Sequence, residues 1–176
     1  ENRVQDAQKR FGPLADSLQK VTRHMIGHLQ TNKVKAALEL FDMIQTLDSI
    51  KLAREIEKQA QRLERQKVDV LIEVNSGEVQ KSGIGRDEIF PLIDAVISCP
   101  RICLKGLMTM APMTEDKSLI RKSFRALRLL SREITRKYQG GERVAMKYLS
   151  MGMTDDYTIA LEEGANMLRL GRAIFA

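Results

Sequence analysis

Val68-Asp-Val-Leu-Ile-Glu-Val74 is a near-continuous apolar run of strand length, the pattern expected of a strand buried on both faces. After the loop Asn75-Ser76-Gly77-Glu78, the stretch Gly85 to Ser98 has helical spacing, and Arg86-Asp87-Glu88 places acids at its start. Ile102 to Met110 is apolar and strand-like again. No hairpin signal lies between these runs, so strand, helix and strand form a crossover unit with parallel strands. The same rhythm extends both ways. Toward the N-terminus, strands are predicted at Thr22 to Ile26 and Met43 to Leu47. Helices are predicted over residues 3–10 (broken by Gly12-Pro13), at Thr31 to Leu40, and from a Ser49 cap to about Gln66. Toward the C-terminus come a helix from Asp116 to Tyr138, the turn Gln139-Gly140-Gly141 and a strand at Ala145 to Leu149. A helix at Thr154 to Glu163 and a last strand at Asn166 to Leu170 follow, and Gly171 opens the final turn.

That is about six β/α units in one domain, residues 1–176, with no low-complexity tract or linker. An α/β class follows, and two architectures compete within it. A doubly wound sheet of the dinucleotide-binding kind carries G-x-G-x-x-G after its first strand, and that fingerprint is absent. A (β/α)8 TIM-type barrel has eight strands in typically ~250 residues. The chain opens on a helix, which in a β/α unit follows a strand. The barrel therefore fits if two strands precede Glu1, which makes 145–149 and 166–170 strands seven and eight.

Composition removes other classes. No run approaches the ~18 apolar residues that span a bilayer, and no basic-then-apolar leader is present. Membrane association is not expected. The net charge is +6, and the excess concentrates on 113–147, where ten basic residues face four acidic ones. Arg121, Lys122, Arg125, Arg128, Arg132 and Arg136 alternate there with Leu119, Ile120, Phe124, Leu127, Leu129, Leu130 and Ile134. This is an amphipathic helix with a basic outer face, read as solvated, with a polyanion surface as the alternative. No aromatic platform accompanies it, so no nucleic-acid partner is expected. Cys99 and Cys103 form one C-x3-C pair, too few for a disulfide framework and without a second metal-ligating pair. They read as reduced packing residues of a cytoplasmic protein.

The last two units carry the candidate site. A barrel's phosphate site is frequently built from the loops after strands seven and eight. The first loop reads Ser150-Met151-Gly152-Met153-Thr154-Asp155-Asp156: a hydroxyl, a glycine that lets backbone approach, and a helix start. Asp155 and Asp156 are expected as caps. The second loop begins Gly171-Arg172. Arg169 lies inside the otherwise apolar Asn166-Met-Leu-Arg-Leu-Gly171 and shares a strand face with Met167 and Gly171. A buried arginine requires acceptors, which makes Arg169 either an ion-pair member or a ligand contact. His24 and His28 are spaced i,i+4 without an acid between them, which fits packing and not a zinc motif. Asn2 stands where a helix cap would.

Several segments together resemble the pyridoxal-phosphate homeostasis proteins, the small barrels of the YggS and PROSC type. They are Glu1-Asn-Arg-Val-Gln-Asp6, Ile26-Gly-His-Leu-Gln-Thr-Asn-Lys33, Thr46-Leu-Asp-Ser-Ile-Lys-Leu-Ala53 and Val74-Asn-Ser-Gly-Glu78. Lys81-Ser-Gly-Ile84, Gly106-Leu-Met-Thr-Met110, Leu149-Ser-Met-Gly-Met-Thr-Asp-Asp156 and Arg169-Leu-Gly-Arg-Ala-Ile-Phe175 complete the series in family order. The resemblance implies the barrel of fold-type III pyridoxal 5′-phosphate (PLP) proteins, similar to the alanine racemase N-terminal domain. It implies PLP near the strand carboxyl ends. Ser150 of Ser-Met-Gly-Met, with Met151 and Gly152, would meet the phosphate. Gly171 and Arg172 would supply backbone donors, Arg169 would face the pyridine nitrogen, and Asn2 would lie beside the cofactor.

The chain departs from the family pattern in three places. The family's covalent anchoring lysine lies on a strand upstream of the Glu-Asn-x-Val-Gln motif, and no lysine here matches it. The loop from Val74 is one residue short, and the chain stops at Ala176 where the family continues. The expected function is intracellular PLP buffering and delivery without robust catalysis. PLP-dependent apoenzymes are the expected recipients, and a monomer is the expected state. A PLP-dependent racemase or related isomerase is the alternative, although the second domain and tyrosine such an enzyme brings are not evident. A basic RNA- or protein-binding module is the reading from a third class.

Overall fold

A computed structural model describes residues 1–77, 82–138, 141 and 143–175. Glu78 and Lys81 of the family-like segments, the Gln139-Gly140 part of the predicted turn, and Ala176 lie outside the described residues. Five strands form one parallel sheet in sequential order: β1 (His24–Met25), β2 (Met43–Leu47), β3 (Val68–Glu73), β4 (Ile102–Met108) and β5 (Val144–Ser150). The helices are α1 (Val4–Phe11), α2 (Ala15–Leu18), α3 (Val34–Leu40), α4 (Ile50–Arg62), α5 (Ile89–Ile97), α6 (Lys117–Lys137), α7 (Tyr157–Glu162) and α8 (Arg172–Phe175).

The elements form for local reasons. Ser49 Oγ accepts from the Leu52 N–H at the start of α4, and Asp116 Oδ1 accepts from the Ser118 N–H at the start of α6. Along β3, Val68, Val70 and Ile72 face the helices and join the main core with Leu52, Ile56, Leu92, Val96, Phe124 and Leu127. The alternate residue Leu71 faces the other way. With Met43 and Met108 it builds a second apolar patch, packed by Met110, Tyr148 and Met167.

The sheet is rolled. Ser150 of β5 donates a 2.6 Å hydrogen bond to Gln45 of β2, although β3 and β4 lie between them in strand order. In a flat sheet three strand steps would separate them by about 14 Å. The second apolar patch is therefore the inner wall of a barrel-like curl, and the helices lie outside it.

Three expectations are corrected here. The strand predicted over 166–170 is reduced to one bridge, Ser150 to Met167. The Asn166 side chain bonds the Leu149 N–H and the Lys147 carbonyl, groups a longer ladder would use. The strand predicted from Thr22 to Ile26 keeps two residues. The Arg23 N–H is taken by the Asp42 carboxylate, and Gly27 is pressed against Asn2, whose carbonyl oxygen lies 2.1 Å from where a Cβ would stand. The helix predicted from Thr154 starts at Tyr157 instead. Two short helices, α2 and α8, carried no sequence signal.

The basic face of α6 is not simply solvated. Arg121, Arg125 and Arg128 all bond the Glu163 carboxylate, at 3.2, 3.0 and 3.1 Å, and Arg121 also pairs with Glu162. Lys137 lies over the Phe90 ring at 4.3 Å. Among the described residues, no helix is long and apolar enough to cross a membrane.

Candidate functional site

The carboxyl ends of the strands bring together residues far apart in sequence. Arg169 Nη1 donates to Ser150 Oγ and Nη2 donates to the Thr109 carbonyl, both at 2.8 Å. The Ser150 hydroxyl donates to Gln45 Oε1, and Gln45 Nε2 reaches His24 Nδ1 at 2.7 Å and the Met167 sulfur at 3.1 Å. Burial holds the His24 imidazole below its ordinary pKa range, so Nδ1 is free to accept. The chain of bonds then has one direction, from guanidinium to hydroxyl to amide to imidazole.

The ion-pair reading of Arg169 is not met. No carboxylate pairs with its guanidinium among the described residues. Burial lowers the Arg169 pKa to about 10, with Glu73 and Asp156 pulling the other way. The group therefore stays cationic at neutral pH. A half-buried cation satisfied by neutral acceptors retains a field that an anion or a lone pair can answer.

Ser150 and Met151 are fully buried. The Ser150 proton is committed to Gln45, so its hydroxyl supports Arg169 and does not stand open in the loop. The Met151 N–H binds the Met167 carbonyl, tying the two loop stems together. Gly152 has φ +97°, and a Cβ there would come within 2.7 Å of Ala160 and 2.9 Å of Leu168. Only glycine fits that position. Its carbonyl accepts from the Arg169 N–H. Among the described residues, the N–H groups of Gly152, Thr154 and Gly171 make no hydrogen bond. Thr154 Oγ1 accepts from the Ala173 N–H, which joins the β5 loop to the start of α8.

Asp156 does not cap as expected. Asp156 Oδ1 reaches back to the Met153 N–H at 2.6 Å and makes no cap bond to α7.

An open cleft of ≈ 420 Å³ runs between the edge of β1 and the 167–171 segment, lined by His24, Gln45, Met167, Arg169 and Gly171 among others. The Arg172 backbone begins α8 at its rim. Asn2 is not in this cleft. It lines a smaller one of ≈ 140 Å³ with Arg3, His28 and Lys33, and Arg3 rather than Asn2 stands at the cap position of α1.

Sequence reasoning missed Gln45, Thr109 and Glu73. Each is polar in an otherwise apolar strand or at its end, and all are buried. A buried polar residue of that kind was the available signal.

The model of the alanine racemase N-terminal domain matches residues 3–176. The pyridoxal phosphate homeostasis protein of Aquifex aeolicus is 40% identical over 176 residues, covering 99% of this chain and 74% of the relative. The protein of that name from Helicobacter pylori J99 is 37% identical, with 99% and 75% covered. The solved structure of PipY from Synechococcus elongatus with PLP bound matches with a TM-score of 0.90 at 29% identity, covering 100% of this chain and 80% of that one. An alanine racemase of Clostridium difficile shares the fold alone, with a TM-score of 0.74 at 16% identity.

Proposed function

The chain belongs to the alanine racemase N-terminal domain family and, within it, to the pyridoxal phosphate homeostasis proteins, and on that premise we propose that it binds PLP in the Arg169 cleft as a cofactor carrier. The observation that carries this reading is Arg169 itself, a cation fixed at the cleft by Ser150 and Thr109 and left without a carboxylate among the described residues.

The residues suit such a ligand. PLP combines a dianionic phosphate with a flat, weakly polar ring. The N–H groups of Gly152, Thr154 and Gly171, which make no hydrogen bond among the described residues, offer donors to the phosphate together with the Arg172 backbone. Gly152 keeps that loop free of a side chain. Met167 and the inner apolar wall offer a surface to the ring. Ser150 and Gln45 hold Arg169 in place. Met151 contributes its backbone by joining the loop stems.

When bound, PLP supplies an electron sink, strongest when its ring nitrogen is protonated. The resemblance sets the strand arginine at that nitrogen. Arg169 remains charged at neutral pH and leaves the nitrogen a hydrogen-bond acceptor, which weakens the sink. This favours holding and releasing the cofactor over racemisation. We infer a cytoplasmic setting, in keeping with the unpaired Cys99 and Cys103, with PLP-dependent apoenzymes as recipients.

Titration of the protein with PLP, followed by absorbance and intrinsic fluorescence, tests the reading. Saturable binding that weakens at least tenfold in Arg169→Ala is expected. Unchanged affinity in that variant removes Arg169 from the site. Racemisation of an amino-acid panel well above the rate with free PLP would favour the racemase alternative.

A further inference from the structure

Glu73 ends β3, two residues beyond Leu71 and on the same inner face. It is only 2% exposed. Its Oε1 accepts a 2.7 Å hydrogen bond from Ser82 Oγ. Its Oε2 is buried with no hydrogen-bond partner among the described residues. Among the described residues no ion pair reaches this carboxyl either, although Arg169 lies within electrostatic range. A carboxylate held this way leaves one charged oxygen desolvated and unanswered, which is costly. A neutral carboxyl instead carries a proton that requires an acceptor, and the described residues supply none.

Charged neighbours face Glu73 from three elements. Asp48, after β2, opposes its ionisation. Arg169 favours ionisation, as does His28 in the loop after β1, whose imidazole lies 3.3 Å from Asp48. Burial is the largest influence, and it holds the carboxyl above the ordinary range. The Ser82 bond works against it.

Resting on the reading of the cleft as a PLP site, we propose that Glu73, on the inner face but outside the cleft lining, is a positioning residue whose orphaned carboxyl couples ligand capture to a proton through the charge it presents to Arg169. Capture of the anionic ligand is then coupled to that proton. Where Glu73 is partly ionised in the free protein, binding takes one proton from solvent onto Oε2, and no bond in the ligand changes. An ionised Glu73 would instead repel the phosphorylated ligand, so retention weakens as pH rises.

Titration calorimetry with PLP in buffers of different ionisation enthalpy, between pH 5 and pH 9, counts the protons exchanged. Wild type is compared with Glu73→Gln, which keeps an acceptor for Ser82 but cannot ionise. Protons exchanged by the ligand's own phosphate are common to both and cancel. Wild type should take up more protons, approaching one, somewhere in this range. Its affinity should fall by up to about tenfold per pH unit more steeply than that of the variant. Equal proton counts with normal binding overturn the role of Glu73 and leave the PLP reading intact. No binding by wild type overturns both. Should Glu73→Gln fail to fold, Ser82→Ala serves instead. It removes the bond that favours the ionised form, so proton uptake should move to higher pH, and an unmoved profile overturns the proposal.

Discussion

On the outer layer, Arg121, Arg125 and Arg128 of α6 converge on one buried carboxylate, Glu163, just beyond α7. At the mouth of the curled sheet, Arg169 has no carboxylate on it among the described residues and is held by a hydroxyl and a carbonyl. The residue type is the same and the accounting is opposite. The outer cluster answers its buried charge internally and ties α7 against α6. The inner arginine is positioned but not neutralised, which is the state a binding site needs and a purely structural one does not.

The sharpest way to break the contrast is to remove the key residue of each cluster. Glu163→Ala leaves three guanidiniums facing one another and should lower stability by about 2 kcal/mol, a figure kept modest because the arginines are partly solvated. PLP affinity should survive in that variant. Arg169→Ala should do the reverse. It should weaken PLP affinity about 30-fold, equivalent to about 2 kcal/mol, with a smaller change in the urea midpoint. Equal effects of both variants on both readouts would erase the distinction.

Ser150→Ala probes how Arg169 is held. It removes the acceptor for Nη1, at a part-buried bond, and the donor for Gln45 Oε1, at a buried one. A loss of about 1–2 kcal/mol in stability and a several-fold loss of PLP affinity are expected, smaller than in Arg169→Ala. An affinity loss equal to that of Arg169→Ala would mean that Ser150 meets the ligand itself.

Acid separates the clusters more gently. The Arg125 hydrogen bond leads the causes that hold the Glu163 carboxyl below its ordinary range. Its stabilising contribution is therefore present above the ordinary carboxylate value and is lost as pH falls through the lowered one. Melting temperatures taken from pH 7 to pH 3 should drop less steeply in Glu163→Gln than in wild type.

Much of the fold was legible because its determinants are local. The apolar runs at Met43 and Val68, and the cap Ser49, need only neighbours a few residues away. Arg169 stood out because it interrupts an apolar run. What could not be read was long-range. Gln45 and Ser150 are 105 residues apart, and only the roll of the sheet joins them. The last strand failed because the Asn166 side chain, spaced like any loop residue, took the β5 backbone groups for itself. The basic helix misled because charge counting along α6 is blind to Glu163, which folds back from beyond α7.

The carboxyls repeat the comparison with the sign reversed, and this gives the smallest effect. Arginines hold Glu163 low, whereas burial holds Glu73 high, so folding binds a proton to Glu73 more tightly than the unfolded chain does. Above the ordinary carboxylate value the unfolded chain has released that proton while the folded state still keeps it. The stabilisation attached to this difference is full at acid pH and is lost as pH rises through the raised value. Glu73→Gln has no such dependence and retains the Ser82 bond. Relative to wild type, it should therefore gain stability between pH 4 and pH 8, the opposite trend to Glu163→Gln relative to its own wild-type curve. Urea unfolding at the two pH values measures both slopes. A parallel response of the two variants would show that Glu73 is charged and paired like Glu163, and the difference between the outer and inner clusters would then rest on Arg169 alone.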